Sequence, residues 1–278
     1  MSSRIGQLDT EKVLPLLRWA GSKKRQFNKL KPLFPEQFKS YVEPFAGSAA
    51  FFFGLQPAKA RLNDLNRDVT DFYKKARSDP SGFFLAFSRL ERSRSFYYRV
   101  REEFNIEKDR NRRAVLFYYL NRNCFNGIYR TNKSGEFNVP FSDTRVSPYL
   151  TKNQFVTSVA KLRSVQIRNL DFEEFCKDSV ERGDFVYLDP PYYKEGRRVF
   201  NEYSKSPFSP TDFKRLTNTL RYIDRIGAKF LLTFPATDDV AAMGKIWHSK
   251  RLRVRRTVAG DSAMRKTQNE MLISNYEG

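Results

Sequence analysis

FVYLDPPY, residues 185–192, is the stretch of sequence that decides the fold. Its first four residues are apolar and rich in β-formers, which predicts a short buried strand. Pro190 and Pro191 end that strand because proline cannot donate to a strand ladder. Asp189 therefore stands at the carboxyl end of the strand, where open α/β sheets bind their ligands. A turn that merely ends a strand would show the same sequence pattern. A ligand-binding role for Asp189 therefore needs support from other segments of the chain.

Strands and helices alternate on both sides of this stretch. Residues 40–46 and 61–66 predict two short strands that flank a helix over residues 49–55. Towards the carboxyl end, helices again precede apolar strands, and residues 251–259 and 269–276 predict a closing antiparallel pair. Such alternation is typical of a largely parallel α/β sheet covered by helices.

A segment of different composition interrupts this alternation. Its first part shows little strand signal and interleaves arginine with aromatic residues, which predicts two or three helices. GIYRTNKSGEFNVPF, residues 127–141, then places β-formers on both sides of a glycine-containing loop, the pattern of a β-hairpin. We therefore predict a sheet domain over residues 11–70 and 154–278. Residues 71–153 form a mainly helical insertion that carries the hairpin.

A second group of candidate ligand-binding residues follows the first two predicted strands. Glu43-Pro44-Phe45-Ala46-Gly47 ends in a glycine turn, and Asp64 follows the next strand. Glycine lets the backbone approach a ligand closely, and an acid at this position can bind ribose hydroxyls. The repeated glycines of a dinucleotide site and the phosphate loop are both missing. The pattern therefore favours a nucleoside ligand without phosphates.

Composition narrows the partners of the chain. The 51 Lys and Arg residues against 31 Asp and Glu give a net charge of +20, with basic charge dense over residues 89–113 and 251–266. This excess predicts a polyanionic partner. No apolar run approaches the roughly 20 residues of a spanning helix, and the first residues lack the apolar core of a secretory signal. We expect a soluble, cytoplasmic protein with no membrane partner. Its residues 1–10 are expected to form a loose tail.

The few cysteine and histidine residues disfavour several catalytic classes. Cys124 and Cys176 lie far apart in the sequence, and His248 is the single histidine. These residues cannot build a disulfide framework or a zinc site with ordinary ligand spacing, so no metal is expected. A serine-histidine mechanism is disfavoured because His248 lies in a basic stretch without a nearby carboxylate.

The Asp189-Pro190-Pro191-Tyr192 motif suits chemistry at an exocyclic amine such as N6 of adenine. That nitrogen is a poor nucleophile because its lone pair is delocalised into the ring. The carboxylate of Asp189 and the carbonyl of Pro190 could each accept one N–H bond and orient the lone pair towards a sulfonium methyl group. The two prolines stiffen the backbone, and Tyr192 can stack on a base flipped out of the helix.

The ordered motifs resemble the Dam-like, or D12 class, adenine-N6 DNA methyltransferases over roughly residues 15–278. The motifs that carry the resemblance are Leu17-Arg18-Trp19-Ala20-Gly21-Ser22-Lys23, Glu43 to Ala49, Asn63-Asp64-Leu65-Asn66, Asn126 to Pro140, Asp189 to Tyr192 and Glu270 to Asn275. Two segments depart from the family pattern. The first motif carries Gly-Ser-Lys where Gly-Gly-Lys is usual. Residues 235–238 are unlike the His-Asp-Thr segment of some relatives, so no role is assigned there.

The resemblance implies a fold, a cofactor and a partner. The fold is a Rossmann-like sheet of the S-adenosylmethionine-dependent methyltransferases with an inserted target-recognition domain. The methyl donor is S-adenosylmethionine, released as S-adenosylhomocysteine, and the partner is double-stranded DNA. Direct in-line transfer to adenine N6 would then need neither a metal nor a covalent intermediate.

The resemblance also implies roles for single residues. The implied cofactor contacts are Trp19, Lys23, Phe45, Gly47, Asp64, Asp171, Phe172 and Asp189. Lys23 is suited to the methionine carboxylate, Asp64 is the ribose-binding acid, and Asp171 with Phe172 borders the cofactor adenine. Asp189 is also the catalytic aspartate.

The predicted hairpin carries the residues expected to read DNA. A two-stranded ribbon fits the major groove, and arginine can pair bidentately with guanine. In the resembled family this hairpin contacts the target site, so we expect contacts from Asn126, Arg130, Asn132 and Lys133 and a site of the GATC type. The arginine and aromatic residues of the helices suit phosphate contact, base stacking or helical core equally well.

Other functions stay open at this point. Cytosine-N4 methylation presents a similar amine, although serine is frequent at position 189 in cytosine-directed relatives. Methylation of RNA or of protein glutamine is disfavoured because those relatives usually carry asparagine there. The alternative from a different class is a DNA-binding module that has lost catalysis, against which Trp19, Lys23, Asp64 and Asp189 argue. Service beside a restriction nuclease, in replication or repair, or in a phage is equally open.

Overall fold

A seven-stranded sheet forms the centre of the computed structural model, which describes residues 12–143, 148–192, 208–255 and 267–277. In chain order, strands β1 to β7 span Tyr41–Glu43, Ala60–Asn63, Val165–Arg168, Phe185–Leu188, Lys229–Pro235, His248–Arg255 and Thr267–Ser274. The predicted tail over residues 1–10 and most of the basic stretch 251–266 lie outside the described residues.

The strands follow the order β3-β2-β1-β4-β5-β7-β6. Neighbouring strands from β3 to β5 pair in parallel, whereas β7 runs antiparallel to both β5 and β6. All four residues of β4 are buried, as expected for a strand covered on both faces. The predicted α/β sheet with a closing antiparallel pair is confirmed.

Helices cover the sheet and fill the interval between β2 and β3. In chain order, α1 to α10 span Phe27–Leu30, Ala50–Leu55, Arg67–Ser78, Pro80–Ser88, Arg94–Ile106, Arg110–Asn123, Lys152–Ala160, Phe172–Ser179, Pro210–Arg225 and Asp238–Met243. No helix within the described ranges is long and apolar enough to cross a membrane.

Four helices, α3 to α6, lie where the aromatic and basic composition predicted two or three. The break between α3 and α4 is at Asp79 and Pro80. The amide of Asp79 donates to Lys75 at the end of α3, and its carboxylate accepts from Gly82 at 2.9 Å at the start of α4. Proline at the first position of α4 needs no N–H partner, so one aspartate ends one helix and begins the next.

The strand order of the sheet reverses between β1 and β4, which is its topological switch point. The chain proceeds from β1 outward through β2 to β3 on one side, and from β4 through β5 on the other. The loops that follow β1 and β4 therefore diverge and leave a crevice at the carboxyl edge, the usual ligand position in such sheets. Residues 44–49 and 189–192 are those two loops.

Two hydrophobic clusters lie on the two faces of the sheet. The larger joins strand residues such as Tyr41 and Tyr187 to helical residues such as Phe72 and Tyr118. The smaller packs β4 and β5 against α8 and α9. The larger cluster runs from β1 into α3 and α6, so the helices before β3 share one hydrophobic core with the sheet.

The segment over residues 124–141 folds back on itself, as the hairpin pattern predicted, but it forms no regular ladder. Two isolated antiparallel bridges, Cys124 to Phe141 and Thr131 to Phe137, hold it. Asn126 lies in the left-handed region at φ 54°, inside a turn of 3₁₀ helix. That turn interrupts the extended conformation near Asn126, while backbone hydrogen bonds from Asn132 to Glu136 and from Asn138 to Arg130 still join the two arms around the tip. We call residues 124–141 the recognition segment, after its predicted role.

Candidate active site

The predicted catalytic motif lies at the carboxyl end of β4, beside the loop that follows β1. Asp189 is partly exposed, Pro190 is buried, and Pro191 faces solvent. The two strands are parallel neighbours, with Tyr41 opposite Phe185 and Val42 opposite Val186. The motif therefore borders the crevice of the sheet, as its position in the sequence predicted.

One oxygen of Asp189 receives three protein donors. The Lys23 ammonium donates to Oδ1 at 2.7 Å, the Thr233 hydroxyl at 3.0 Å and the Tyr192 hydroxyl at 3.1 Å. In the part of the chain that the structure describes, no donor contacts Oδ2. The arrangement fixes the carboxylate by one oxygen and leaves the other for a ligand.

Lys23 is deeply buried beneath the motif. Its side chain is 4% exposed, and its ammonium also lies 2.5 Å from the Tyr192 hydroxyl and 3.7 Å from the Glu270 carboxylate. Burial lowers the pKa of Lys23, but Asp189 and Glu270 more than offset this, and the pKa ends above its usual value. Lys23 is therefore a permanent cation shared by two carboxylates.

Asn63 joins the three loops that form the floor of the crevice. Its amide nitrogen donates to the carbonyls of Pro44 and Leu170, both at 3.0 Å, and its oxygen accepts from the Leu170 amide at 2.9 Å. These residues follow β1 and β3, while Asn63 ends β2. One buried side chain thus fixes the relative positions of the three strand ends.

The glycine turn after β1 is packed against Trp19. A Cβ at Gly47 would lie 2.6 Å from Trp19 Cδ1 and 2.7 Å from Nε1, and Gly47 has φ +45°. The Gly47 amide donates to Asp64 at 2.7 Å. The structure therefore brings three predicted cofactor residues together, and the glycine makes room for the indole ring.

Asp64 connects the turns after β1 and β2. Its Oδ2 accepts from Gly47, and its Oδ1 accepts from the Asn66 amide at 2.8 Å. Burial raises its pKa to about 6, against the opposing effect of these two backbone bonds. Each carboxylate oxygen keeps a second lone pair for a ligand hydroxyl.

Glu43 is a second buried acid in this region, with 4% of its side chain exposed. Burial raises its pKa well above the usual value. The hydrogen bond from Tyr41 at 3.0 Å opposes that shift, and the charge of Asp189 adds to it. Burial in this region therefore favours the protonated form of Glu43 over its carboxylate.

The residues predicted to border the cofactor adenine also meet. The rings of Phe45 and Phe172 are 5.3 Å apart, so the loop after β1 contacts the start of α8. Asp171 caps α8 by accepting from the Glu173 amide at 3.0 Å, and it forms an ion pair with Arg215. Leu65, which the cofactor set omitted, follows Asp64 with its side chain 64% exposed and adds apolar surface near this edge.

The recognition segment holds its predicted DNA-reading residues in local contacts. Arg130 donates to the Asn138 side chain at 2.7 Å, and Asn132 donates to Glu136 at 2.8 Å, so both side chains shape the loop. Lys133 is exposed at the tip. Within the described residues, no hydrogen bond or ion pair joins these three side chains to Asp189, Lys23 or Tyr192.

Tyr129 connects the recognition segment with the cofactor residues. Its ring stacks on Trp19 at 6.1 Å, and its hydroxyl donates to Asp68 at 2.7 Å. Asp68 is held in turn by Arg113, whose Nε lies 2.7 Å from it. Recognition segment and glycine turn therefore share one packed contact through Trp19.

Glu270 and Thr233 belong to the cluster around Asp189, although the sequence interpretation gave neither a site role and noted Glu270 only as the first residue of the Glu270 to Asn275 motif. Glu270 lies on β7, with 1% of its side chain exposed, and contacts both Lys23 and Tyr192. An acid in the apolar run NEMLISNY was a usable signal, because a charge on a buried strand needs a partner. Thr233 gave no signal, since threonine is an ordinary strand residue. Among the described residues, no group of three or more His, Cys, Asp or Glu side chains could hold a metal ion.

Sequence comparisons identify relatives of the chain. Type II methyltransferase M.MjaIII of Methanocaldococcus jannaschii is 33% identical over 291 residues, which cover 95% of this chain and 99% of that protein. A DNA adenine methylase of Salmonella typhi is 30% identical over 274 residues, covering 94% and 95% of the two chains. A solved structure described as a putative methyltransferase yhhF from Escherichia coli aligns over 92% of this chain and 84% of its own. Its identity is 13% and its TM-score 0.36, too low to bear on the fold.

The family model of the D12 class N6 adenine-specific DNA methyltransferases matches residues 19–259. That range begins at Trp19 and includes the glycine turn, the recognition segment and the Asp189 motif. The chain therefore belongs to the D12 class of N6 adenine-specific DNA methyltransferases.

Proposed function

We propose that the chain transfers the methyl group of S-adenosylmethionine to N6 of an adenine in double-stranded DNA, by direct in-line transfer to a flipped base. The observation that carries this proposal is the Asp189 carboxylate at the crevice of the sheet. Its Oδ1 is held by Lys23, Thr233 and Tyr192. Its Oδ2 is left for an N–H donor from a substrate.

The residues around the crevice fit S-adenosylmethionine. Asp64 offers lone pairs to ribose hydroxyls, and the exposed Leu65 with Phe172 offers apolar surface to a purine. Trp19, Phe45, Gly47 and Asp171 complete the set that would hold the cofactor. When bound there, the cofactor supplies a sulfonium methyl group whose C–S bond breaks, leaving the bonding electrons on sulfur.

The protein prepares the amine for this transfer. Asp189 Oδ2 and the Pro190 carbonyl accept the two N–H bonds of the adenine amine, which draws electron density back to nitrogen. Because the Tyr192 hydroxyl is held by Lys23 and Asp189, its ring has one orientation for stacking on the base. Once N6 carries the methyl group, it loses one proton, which Asp189 can accept and pass to water.

Lys23 acts on Asp189 in this proposal. The resemblance implied that Lys23 contacts the methionine carboxylate of the cofactor. In the structure, the Lys23 ammonium contacts Asp189, Tyr192 and Glu270. A cation with 4% exposure and three protein partners is placed to orient the catalytic carboxylate.

Duplex DNA is the proposed polyanionic partner. The net charge of +20 suits a phosphate backbone. The recognition segment offers Asn126, Arg130, Asn132 and Lys133 as base or phosphate contacts, and a GATC-type site is the predicted target.

Identification of the methylated nucleoside tests this proposal. The purified chain is incubated with radiolabelled S-adenosylmethionine and unmethylated genomic DNA, and the DNA is digested to nucleosides. We expect the label in N6-methyladenine, and sequencing of modified positions then gives the site. Label in N4-methylcytosine would overturn the target base, and unlabelled DNA would favour the DNA-binding module without catalysis.

A further inference from the structure

A buried triad of charges lies directly under the proposed methyl-acceptor site. The Lys23 ammonium is 2.7 Å from Asp189 and 3.7 Å from Glu270, and the side chains of Lys23 and Glu270 are 4% and 1% exposed. The Tyr192 hydroxyl lies 3.4 Å from Glu270 and 3.1 Å from Asp189. Two acids therefore share one cation and one hydroxyl.

We propose that Glu270 is a positioning residue of methyl transfer, which shares Lys23 with Asp189 and so leaves the Asp189 carboxylate a stronger hydrogen-bond acceptor for the substrate amine. This inference rests on the proposed function and deepens it. Glu270 itself contacts neither substrate nor cofactor in this role. It acts through Lys23 and Tyr192.

Charge explains why a second acid is needed. An ion pair of Lys23 and Asp189 alone would be neutral, and the ammonium would draw electron density from the carboxylate that must accept the amine. Glu270 brings the net charge of the buried triad to −1. Because the triad is buried, its field is screened less than it would be in water.

The reaction needs that negative charge. As the N6–C bond forms and the C–S bond breaks, the positive charge moves from sulfur to N6. The proton then released from N6 passes to the Asp189 carboxylate and on to water, since the Asp189 side chain is 20% exposed. A triad at −1 stabilises the charge on N6 before the proton leaves.

The backbone of Glu270 is held independently of its side chain. Glu270 pairs with Pro235 of β5 and with Leu252 of β6 in two antiparallel ladders. Substitution of the carboxylate by an amide of the same shape therefore leaves the strand in place, and effects on folding and on catalysis can be separated.

The test compares the wild type with Glu270→Gln and Glu270→Asp, using Asp184→Asn as the matched control. Asp184 is a fully buried acid paired with Arg61 at 2.6 Å, and it precedes the same strand whose far end carries Asp189. Single-turnover methylation of duplex DNA gives the rate. Affinities for S-adenosylhomocysteine and for sinefungin, which carries an ammonium where the methyl donor carries its sulfonium, give a binding measurement without turnover.

We expect Glu270→Gln to slow methyl transfer by about 10- to 100-fold while its affinity for duplex DNA stays within about threefold. The preference for sinefungin over S-adenosylhomocysteine should fall about tenfold, since only sinefungin carries the positive charge. Glu270→Asp keeps the charge and should recover most of both losses, and Asp184→Asn should change neither.

Three results would overturn the inference. The first is a Glu270→Gln rate within about twofold of the wild type. The second is equal impairment of Glu270→Gln and Glu270→Asp, which would indicate a merely structural side chain. The third is an unchanged sinefungin preference. A wild-type chain that methylates no DNA would refute the proposed function and this inference together, whereas an active wild type with an unaffected Glu270→Gln variant refutes this inference alone.

Discussion

Asp64 shows how one side chain prepares a ligand site. Its two oxygens already hold the amides of Gly47 and Asn66, so the carboxylate is fixed before any ribose arrives. A fixed acceptor loses little conformational entropy when the ligand binds. The same burial that fixes it raises its pKa to about 6, close to the range in which binding is measured.

Cofactor affinity should therefore depend on pH through Asp64. Ribose hydroxyls donate to the carboxylate and favour its charged form, so the affinity rises as pH rises through about 6 and then levels off. We expect S-adenosylhomocysteine to bind about tenfold more weakly at about pH 5 than at about pH 7.5, measured by calorimetry. Asp64→Asn should bind weakly with a flat pH profile. An equally steep profile in Asp64→Asn would assign the titration to another group.

Single residues also show what could be inferred without a structure. Asp189, Asp64 and Gly47 were found because the ends of parallel strands meet at one edge of a sheet. The contact of Lys23 with Asp189 could not be predicted, because 166 residues separate the two positions and nothing local indicates the pairing. Glu270 reaches the same cluster from a strand near the end of the chain.

At the scale of elements, the turn between β1 and α2 depends on its contact with Trp19. Gly47→Ala should lower the stability of the turn and weaken cofactor binding, because the new Cβ would lie 2.6 Å from the indole ring at φ +45°. We expect a loss of about 1–3 kcal/mol in unfolding free energy and a weaker affinity for S-adenosylhomocysteine.

Gly183→Ala is the matched control for this prediction. Gly183 has φ +84° but its nearest neighbour to a new Cβ is 3.7 Å away, at the opposite edge of the sheet. Gly183→Ala should lose stability through backbone strain at this position but keep the wild-type affinity for S-adenosylhomocysteine. Equal cofactor affinities for the two variants would contradict the role given to the Trp19 contact.

The recognition segment should read a base through Arg130. Arg130→Ala should weaken binding by about 1–3 kcal/mol at one base pair and relax the preference there. Lys133→Ala, at the exposed tip, should weaken binding to all sequences alike. Competition binding against a panel of duplexes with single base-pair changes distinguishes the effects of Arg130→Ala and Lys133→Ala. An unchanged preference in Arg130→Ala would leave that side chain with only its contact to Asn138.

The hairpin itself shows a limit of pattern reading at this scale. Alternating β-formers around a glycine-containing loop predicted two paired strands, and the chain does reverse there. A regular ladder does not extend along the segment, since Asn126 adopts φ 54° and Pro140 offers no amide, although Asn132 and Asn138 still donate backbone hydrogen bonds across the tip. The predicted reversal was correct because it depends on turn residues, whereas regular pairing depends on tertiary contacts.

For the whole molecule, charge should govern DNA affinity. With a net charge of +20, the affinity for duplex DNA should fall steeply with salt. If the interface contacts about six to ten phosphates, the loss between about 50 and 200 mM salt is about 10³- to 10⁵-fold. Fluorescence anisotropy at several salt concentrations measures the slope. S-adenosylhomocysteine affinity over the same range is the control and should barely change, and a shallow DNA slope would contradict a phosphate-dominated interface.

The alternation of strands and helices and the closing antiparallel pair were predictable, while the strand order and the packing of the interval between β2 and β3 were not. Most strands carried an apolar run and neighbouring turn residues, which are local signals, whereas β6 is mostly basic. The aromatic residues of α3 to α6 could have faced DNA or a core. Phe72, Phe83, Phe87 and Tyr118 are in fact buried together. Composition alone cannot distinguish the two, because stacking on bases and packing in a core use the same side chains.

Single-turnover methylation by the wild type and by Asp189→Ala tests the central claim most directly. Both proteins react with a duplex that carries the mapped site, and mass spectrometry quantifies N6-methyladenine. We predict product from the wild type and a rate at least about 10³-fold lower from Asp189→Ala, with an affinity for duplex DNA within about threefold of the wild type. Near wild-type turnover by Asp189→Ala would contradict the assignment of the Asp189 carboxylate as the acceptor that activates the adenine amine.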